Sequence, residues 1–156
     1  DHDLILFNQL KSPETSESIK TVTKDKVIEN VTREVRKYTV DDHFGDDWTK
    51  SWGIYQSLRD RILIIDNRIV ESPRSIYIGF KIGKSVLCGV HVHKSKLQLW
   101  LGRTKPTDLK DPEKRTVYRE KSFEHYNQHI TDFFLKESSD VDYAIFLIQQ
   151  LYKKYF

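Results

Sequence analysis

The sequence predicts an α+β domain: a small antiparallel sheet of about four strands with two amphipathic helices packed on one face. Three segments within residues 75–101 alternate apolar and polar residues, which is the period of a half-buried strand, and residues 130–136 form a fourth strand-like segment. Residues 46–66 and 138–156 repeat apolar residues at helical spacing. Two such helices can cover one face of a small sheet, so we expect residues 41–156 to form one domain.

The first 40 residues are expected to form an arm or linker. Residues 4–10 (LILFNQL) are apolar and read as a strand with no partner nearby in the sequence. Residues 11–25 are polar, with the proline and serines typical of a linker. Residues 26–40 stay ambiguous, because their valines recur every four residues, as in a helix, while their β-branched content favours a strand.

Each predicted helix has a candidate cap and one apolar face. Asp46 or Asp47 can cap the helix over residues 46–66, whose apolar stripe is Trp48, Trp52, Tyr55, Leu58, Ile62 and Ile65. Ser139 is the expected cap of the C-terminal helix, whose apolar face is Val141, Ile145, Ile148, Leu151 and Tyr155. Both faces are expected to pack on the sheet.

The first three strands are expected to form a meander over residues 75–82, 86–92 and 96–101. The predicted inner face consists of Ile76, Ile78, Phe80, Ile82, Val86, Cys88, Val90, Val92, Leu97, Leu99 and Leu101. A two-residue turn at Lys94 and Ser95 places each apolar residue of the second strand opposite one of the third, and a slip by one residue would break all of these pairs. A three-residue loop, 82–84, is expected between the first two strands.

The outer face of this sheet carries the candidate binding residues. In the predicted register, Tyr77 and Trp100 flank Gly89 of the middle strand. Aromatic side chains over a cross-strand glycine can stabilise the sheet alone, can pack under the arm or a second subunit, or can form a stacking platform for bases. The residues predicted to bind nucleic acid are Tyr77, Lys81, Lys84, His91, Lys96, Trp100, Arg103 and Lys105.

The cysteine and its neighbouring histidines do not predict a metal site. Cys88 belongs to the inner face, whereas His91 and His93 belong to the outer face, so they cannot converge on one ion. The acidic residues 41–47 with His43 could bind a divalent ion, although such carboxylates more often cap a helix.

No catalytic residue and no cofactor are predicted, because the sequence has no phosphate-binding glycine loop, nucleophile elbow or convergent catalytic set.

The composition fits more than one function. Of the 156 residues, 38% are hydrophobic and 31% are charged, and the net charge is +3. This mild basicity is compatible with a nucleic-acid partner but does not require one. The single cysteine excludes an internal disulfide. No apolar stretch has the length of a membrane span and no signal peptide is recognisable, so we expect a cytoplasmic protein without a membrane partner.

Residues 38–152 contain a series of short motifs: YTVDDHF, LRDRILIID, IYIGFKIGKSVLCGV, KLQLWL, LKDPEKRTVYRE and DVDYAIFLIQQLY. In order and spacing they resemble a bacterial domain of unknown function, numbered five-six-five-five, which often forms the C-terminus of chains labelled "predicted transport protein". One segment departs from the family: FEHYNQHI keeps a histidine and an aromatic residue but lacks the family's glycines.

The resemblance implies that a restriction-endonuclease-like domain precedes this one, with residues 4–10 as its last strand. The nuclease motif of such a domain would lie upstream of this chain, so the resemblance implies an accessory role. The predicted function is therefore a non-catalytic domain that binds nucleic acid or positions a nuclease-like partner domain. The alternative is a protein-interaction or homodimerisation module that uses the exposed sheet face.

Overall fold

The computed structural model describes residues 37–156 and has an α+β architecture; the predicted strand at residues 4–10 lies outside the described residues. The strands are Val70–Pro73 (β1), Ile78–Ile82 (β2), Ser85–Val92 (β3), Leu97–Gly102 (β4), Val117–Tyr118 (β5) and Ile130–Leu135 (β6). The α-helices are Thr49–Leu63 (α1), Ser122–Tyr126 (α2) and Asp140–Tyr155 (α3). None of these helices in the described part of the chain has the length and hydropathy needed to cross a membrane.

The six strands form one antiparallel sheet in the order β1-β2-β3-β4-β6-β5. The α+β class is confirmed, but the prediction of about four strands is wrong. The two additional strands, β1 and β5, have four and two residues and lie at the edges of the sheet. Over so few residues, the sequence pattern of a strand cannot be distinguished from that of a loop. The helix α2, with five residues, is likewise too short to show a helical period and was missed.

The hairpin of β3 and β4 has the predicted register. The paired residues are Gly89 with Trp100, Val90 with Leu99, His91 with Gln98, and Val92 with Leu97. The backbone N–H of His93 donates to the carbonyl of Lys96 at 3.0 Å, which leaves Lys94 and Ser95 at the tip of the turn. The pattern of apolar residues was sufficient to fix this register because only one alignment pairs them all.

The hairpin of β2 and β3 differs from the prediction. Its turn consists of two residues, Gly83 and Lys84, rather than the three-residue loop 82–84, and Gly83 has a φ of +58°. Leu87 is an extra residue in β3 at the point where the pairing with β2 shifts. This bulge leaves Leu87 1% exposed in the core and Val86 42% exposed, the reverse of the predicted alternation.

The inner face of the sheet packs against α1 and α3, as predicted, and this layer forms the hydrophobic core. Its buried side chains include Ile54, Tyr55, Leu58 and Ile62 of α1, Val141, Ala144, Ile145, Ile148 and Leu151 of α3, and Ile78, Phe80, Cys88, Val90, Leu97, Leu99, Leu101, Phe133 and Leu135 of the sheet. Ile76 was predicted to belong to this face, but it precedes β2 and is 60% exposed.

The predicted caps of the two long helices are corrected by the structure. Neither Asp46 nor Asp47 caps α1, whose N-cap position is Trp48 and has no side-chain hydrogen bond. Ser139 occupies the N-cap position of α3, as predicted, but its side chain makes no capping bond. The carboxylate of Asp140 accepts backbone N–H bonds from Lys136 and Glu137, at 2.8 and 2.9 Å, and so orders the turn that precedes the helix rather than capping it.

Asp111 organises the segment between β4 and β5. Asp111 accepts hydrogen bonds from Tyr143 of α3 and from both the backbone N–H and the hydroxyl of Thr116, the latter two at 2.9 and 2.7 Å. Although burial opposes ionisation, these hydrogen bonds lower the pKa of Asp111 to about 2. The segment that carries Arg103 and Lys105 is thereby attached to α3.

We expect Gly89→Ala to destabilise the domain, because its Cβ would lie 2.9 Å from Cδ2 of Tyr77. Overpacking of this kind lowers the free energy of unfolding by about 1–3 kcal/mol. Gly53→Ala in α1 is the matched control: no atom lies within 4 Å of its added Cβ, and alanine should stabilise the helix by up to about 1 kcal/mol. Urea denaturation measures both values, and destabilisation of equal size in the two variants would contradict the close packing at Gly89.

Candidate nucleic-acid interface

The outer face of the sheet carries an aromatic row formed by Tyr77, Trp100, His91 and His93. Neighbouring ring centroids are 5.1 Å apart between Tyr77 and Trp100, 5.8 Å between Trp100 and His91, and 4.7 Å between the histidines. Trp100 of β4 is opposite Gly89 of β3, and the ring of Tyr77 covers the surface that the glycine leaves open. The structure thus brings together three of the predicted binding residues, Tyr77, His91 and Trp100.

Arg119 and Asp132 hold Trp100 from the β5 side of the sheet, a contact that the sequence analysis did not predict. The Arg119 guanidinium lies 4.4 Å from the indole ring centre, and it donates two hydrogen bonds to Asp132 at 2.9 and 2.5 Å. Asp132 is opposite Trp100 in the β4–β6 pairing and is 6% exposed. Since Tyr77 contacts the indole from the β2 side, Trp100 is a fixed wall rather than a free stacking surface.

A cavity of about 350 Å³ opens on this face beside the aromatic row, and we call it the sheet-face cavity. The backbone of β3 and β4 forms its floor at Gly89 and Gly102. The side chains around it include Tyr77, Trp100, Tyr126, Val86, Arg103 and Gln128. Tyr126 of α2 is 54% exposed, so it is the aromatic side chain with the most surface available to a ligand.

The basic residues predicted to contact phosphate form no ion pair within residues 37–156. They are Lys81, Lys84, Lys96, Arg103 and Lys105. Arg103 lines the sheet-face cavity, rests on the ring of Tyr155 at 3.9 Å and donates to the carbonyl of Val86 at 3.2 Å. Lys84 lies in the β2–β3 turn, two residues before Val86. Lys96 does not line the cavity and lies over Phe134 instead, at 4.9 Å.

Sequence reasoning missed the side chains that α2 and the segment after it contribute, Tyr126 and Gln128. The helix is flanked by two residues of positive φ, Lys121 at 61° and Asn127 at 53°. Asparagine after a short polar stretch is a recognised helix stop, so Asn127 was the one signal in the sequence that could have indicated α2.

The structure places Cys88 where it cannot act as a nucleophile or metal ligand with the histidines. Its side chain is buried on the inner face, and burial raises the pKa of the thiol far above its ordinary value. His91 lies on the opposite face, as predicted. In the described part of the chain, no three His, Cys, Asp or Glu side chains are placed to hold a metal ion together.

We expect Arg119→Gln to lower the free energy of unfolding by about 3 kcal/mol, because it leaves the buried Asp132 carboxylate without its cation. The double variant Arg119→Gln/Asp132→Asn contains no such charge and should lose less than the two single variants together. Chemical denaturation of the four proteins gives the coupling free energy. Additive effects would show that the ion pair does not stabilise the site.

Stability should also fall as the pH drops below about 6.5. Burial, followed by the positive charges of His93 and Arg119, lowers the pKa of His91, and burial also lowers the pKa of His43. The unfolded chain therefore binds more protons than the folded chain just below pH 6.5, which favours unfolding. When unfolding is measured between pH 7.5 and 5, His91→Gln should lose less stability than the unaltered chain, and an equal loss in the two proteins would contradict the role of His91.

Comparison with known proteins gives one relative and no functional assignment. The chain is 23% identical over 154 residues to an uncharacterized protein of Haemophilus influenzae, and the match covers 98% of this chain and 50% of the relative. The chain therefore spans about half the length of the curated relative it matches. No family model matches the chain, so the resemblance described above stays a prediction. No solved structure matches it either.

Proposed function

We propose that this domain is a non-catalytic module that binds single-stranded nucleic acid at the sheet-face cavity. The observation that supports this proposal is the presence, at one cavity, of three aromatic side chains and of Arg103, which forms no ion pair with another residue of the described part of the chain. The proposed stacking residues are Tyr77 and Tyr126, with Trp100 as the wall behind them. The proposed phosphate contacts are Lys81, Lys84, Arg103 and Lys105.

The dimensions of the cavity favour a single strand over a duplex. A volume of about 350 Å³ can receive one planar base, and a base within a duplex would have to leave its stack to enter. Stacking of a base on an aromatic side chain contributes about 1–3 kcal/mol and tolerates any sequence. The proposed phosphate contacts then supply an electrostatic attraction that weakens as the salt concentration rises.

In the intact protein, the domain would hold nucleic acid near a nuclease-like partner domain. The relative from Haemophilus influenzae is about twice as long as the matched segment, which leaves room for such a domain. This arrangement also agrees with the resemblance to domains that follow restriction-endonuclease-like domains. The accessory role does not require a catalytic residue in this chain.

The second candidate function is self-association through the same face. Val86 and Tyr126 are exposed apolar side chains at the rim of the sheet-face cavity, and such patches often mark protein contacts. A dimer of this kind would cover Tyr77 and Trp100 and exclude nucleic acid. Sedimentation velocity of the chain at increasing concentration tests this candidate directly.

Labelled oligonucleotides test the nucleic-acid proposal through fluorescence anisotropy. We expect single-stranded DNA or RNA to bind more tightly than a duplex of the same sequence. Tyr126→Ala should weaken binding about tenfold, because it removes one stacking surface, while Tyr126→Phe should retain binding. No binding of single strands at tens of micromolar in low salt would contradict the proposal.

The salt dependence identifies the phosphate contacts. With four cations engaged on a single strand, log K should fall with log salt concentration at a slope of about −3. The double variant Lys84→Gln/Lys105→Gln should make the slope less negative by about 1.4. Lys153→Gln/Lys154→Gln, which removes the same charge from α3, is the control and should leave the slope unchanged. Equal slopes for the two double variants would show that Lys84 and Lys105 do not contact the phosphates of the bound strand.

A further inference from the structure

A second cavity, of about 300 Å³, lies where the chain enters α1, and it shares no lining residue with the sheet-face cavity. Three aromatic residues, Phe44, Trp48 and Trp52, line it together with the acidic residues Asp41 and Asp46. We call it the aromatic–acidic cavity. The nucleic-acid proposal does not use it, and acidic groups at its rim would repel phosphate.

The aromatic side chains form fixed walls. The rings of Phe44 and Trp52 are perpendicular, with centroids 4.8 Å apart, and Phe44 also contacts the buried Tyr55 at 5.4 Å. The indole of Trp48 packs on Gly45, where even an added Cβ would come within 2.7 Å of Nε1. Aromatic ring faces carry the negative part of the ring quadrupole, so walls of this kind attract cations that have lost their water.

The charges around the cavity favour the same class of ligand. Asp41 and Asp46 are exposed and form no ion pair with another described residue. The neighbouring lysines are engaged elsewhere: Lys50 with Glu137 and Lys94 with Asp47, each at 2.6 Å. The dipole of α1 places about half a positive charge at the N-terminus of the helix. The two negative charges of Asp41 and Asp46 outweigh it.

We propose that the aromatic–acidic cavity binds a quaternary ammonium group, with the methyl groups against the aromatic walls and the charge balanced by Asp41 and Asp46. A simple ammonium holds its hydration water tightly, whereas a fully alkylated nitrogen does not. A quaternary ammonium group therefore binds more favourably between aromatic walls than a simple ammonium does. A metal ion does not fit the same residues, because no three ligating side chains converge there within residues 37–156.

Choline is the probe, and its uncharged isostere 3,3-dimethyl-1-butanol is the control. The chain contains three tryptophans, of which Trp48 and Trp52 line this cavity and Trp100 lines the other, so their indole N–H resonances in a ¹H–¹⁵N spectrum report on both sites. We expect choline to shift the Trp48 and Trp52 resonances saturably and to leave Trp100 in place. The neutral isostere should produce no saturable shift.

Two carboxylate variants complete the test. Asp46→Asn should weaken choline binding about fivefold, because it removes one of the two counter-charges. Asp47→Asn removes the adjacent carboxylate, which pairs with Lys94 and does not line the cavity, and should bind choline like the unaltered chain. The proposal is overturned if choline and its neutral isostere give the same shifts, if only Trp100 responds, or if the two variants weaken binding equally.

Discussion

The register of the β3–β4 hairpin is the constraint on which the rest of the structure depends. With Lys94 and Ser95 at the turn, the aliphatic side chains of both strands other than Val86 face α1 and α3, whereas Trp100 and His91 face away. A slip by one residue would expose the aliphatic set, at about 1.5–3 kcal/mol for each side chain. The packing of the core therefore also fixes the positions of the side chains on the outer face. The geometry of the sheet-face cavity depends on the core for this reason.

Two different kinds of contact keep the outer face rigid. Gly89 allows the ring of Tyr77 to lie directly on the sheet, so the aromatic row rests on backbone rather than on mobile side chains. On the other side, Arg119 stacks on Trp100 while Asp132 orients its guanidinium. A ligand entering the cavity would thus meet walls that are already in position, and little ordering would be required of the protein on binding.

The sequence predicted those parts of the molecule whose pattern extends over several residues. The β3–β4 hairpin and the two long helices follow from repeats that admit one arrangement. Tyr77 and Trp100 are in contact as predicted, but Gly79 rather than Tyr77 pairs with Gly89, because the turn and the bulge between β2 and β3 differ from the prediction. Arg119 and Tyr126 were not predicted, because they depend on β5 and α2, elements of two and five residues that are too short to show a period in the sequence. Leu87 was misplaced because a bulge changes the side on which a residue lies without leaving a trace in the sequence period.

The outermost strands of the described sheet offer little backbone to which another chain could add. β5 is only two residues long, and β1 ends at Pro73, whose nitrogen carries no hydrogen to donate. Long, regular edge strands are the usual templates for intermolecular sheet extension and aggregation. In this part of the chain, recognition of a partner therefore depends on side chains of the outer sheet face and of the helices, and the edges of neighbouring copies have few backbone groups with which to form fibrils.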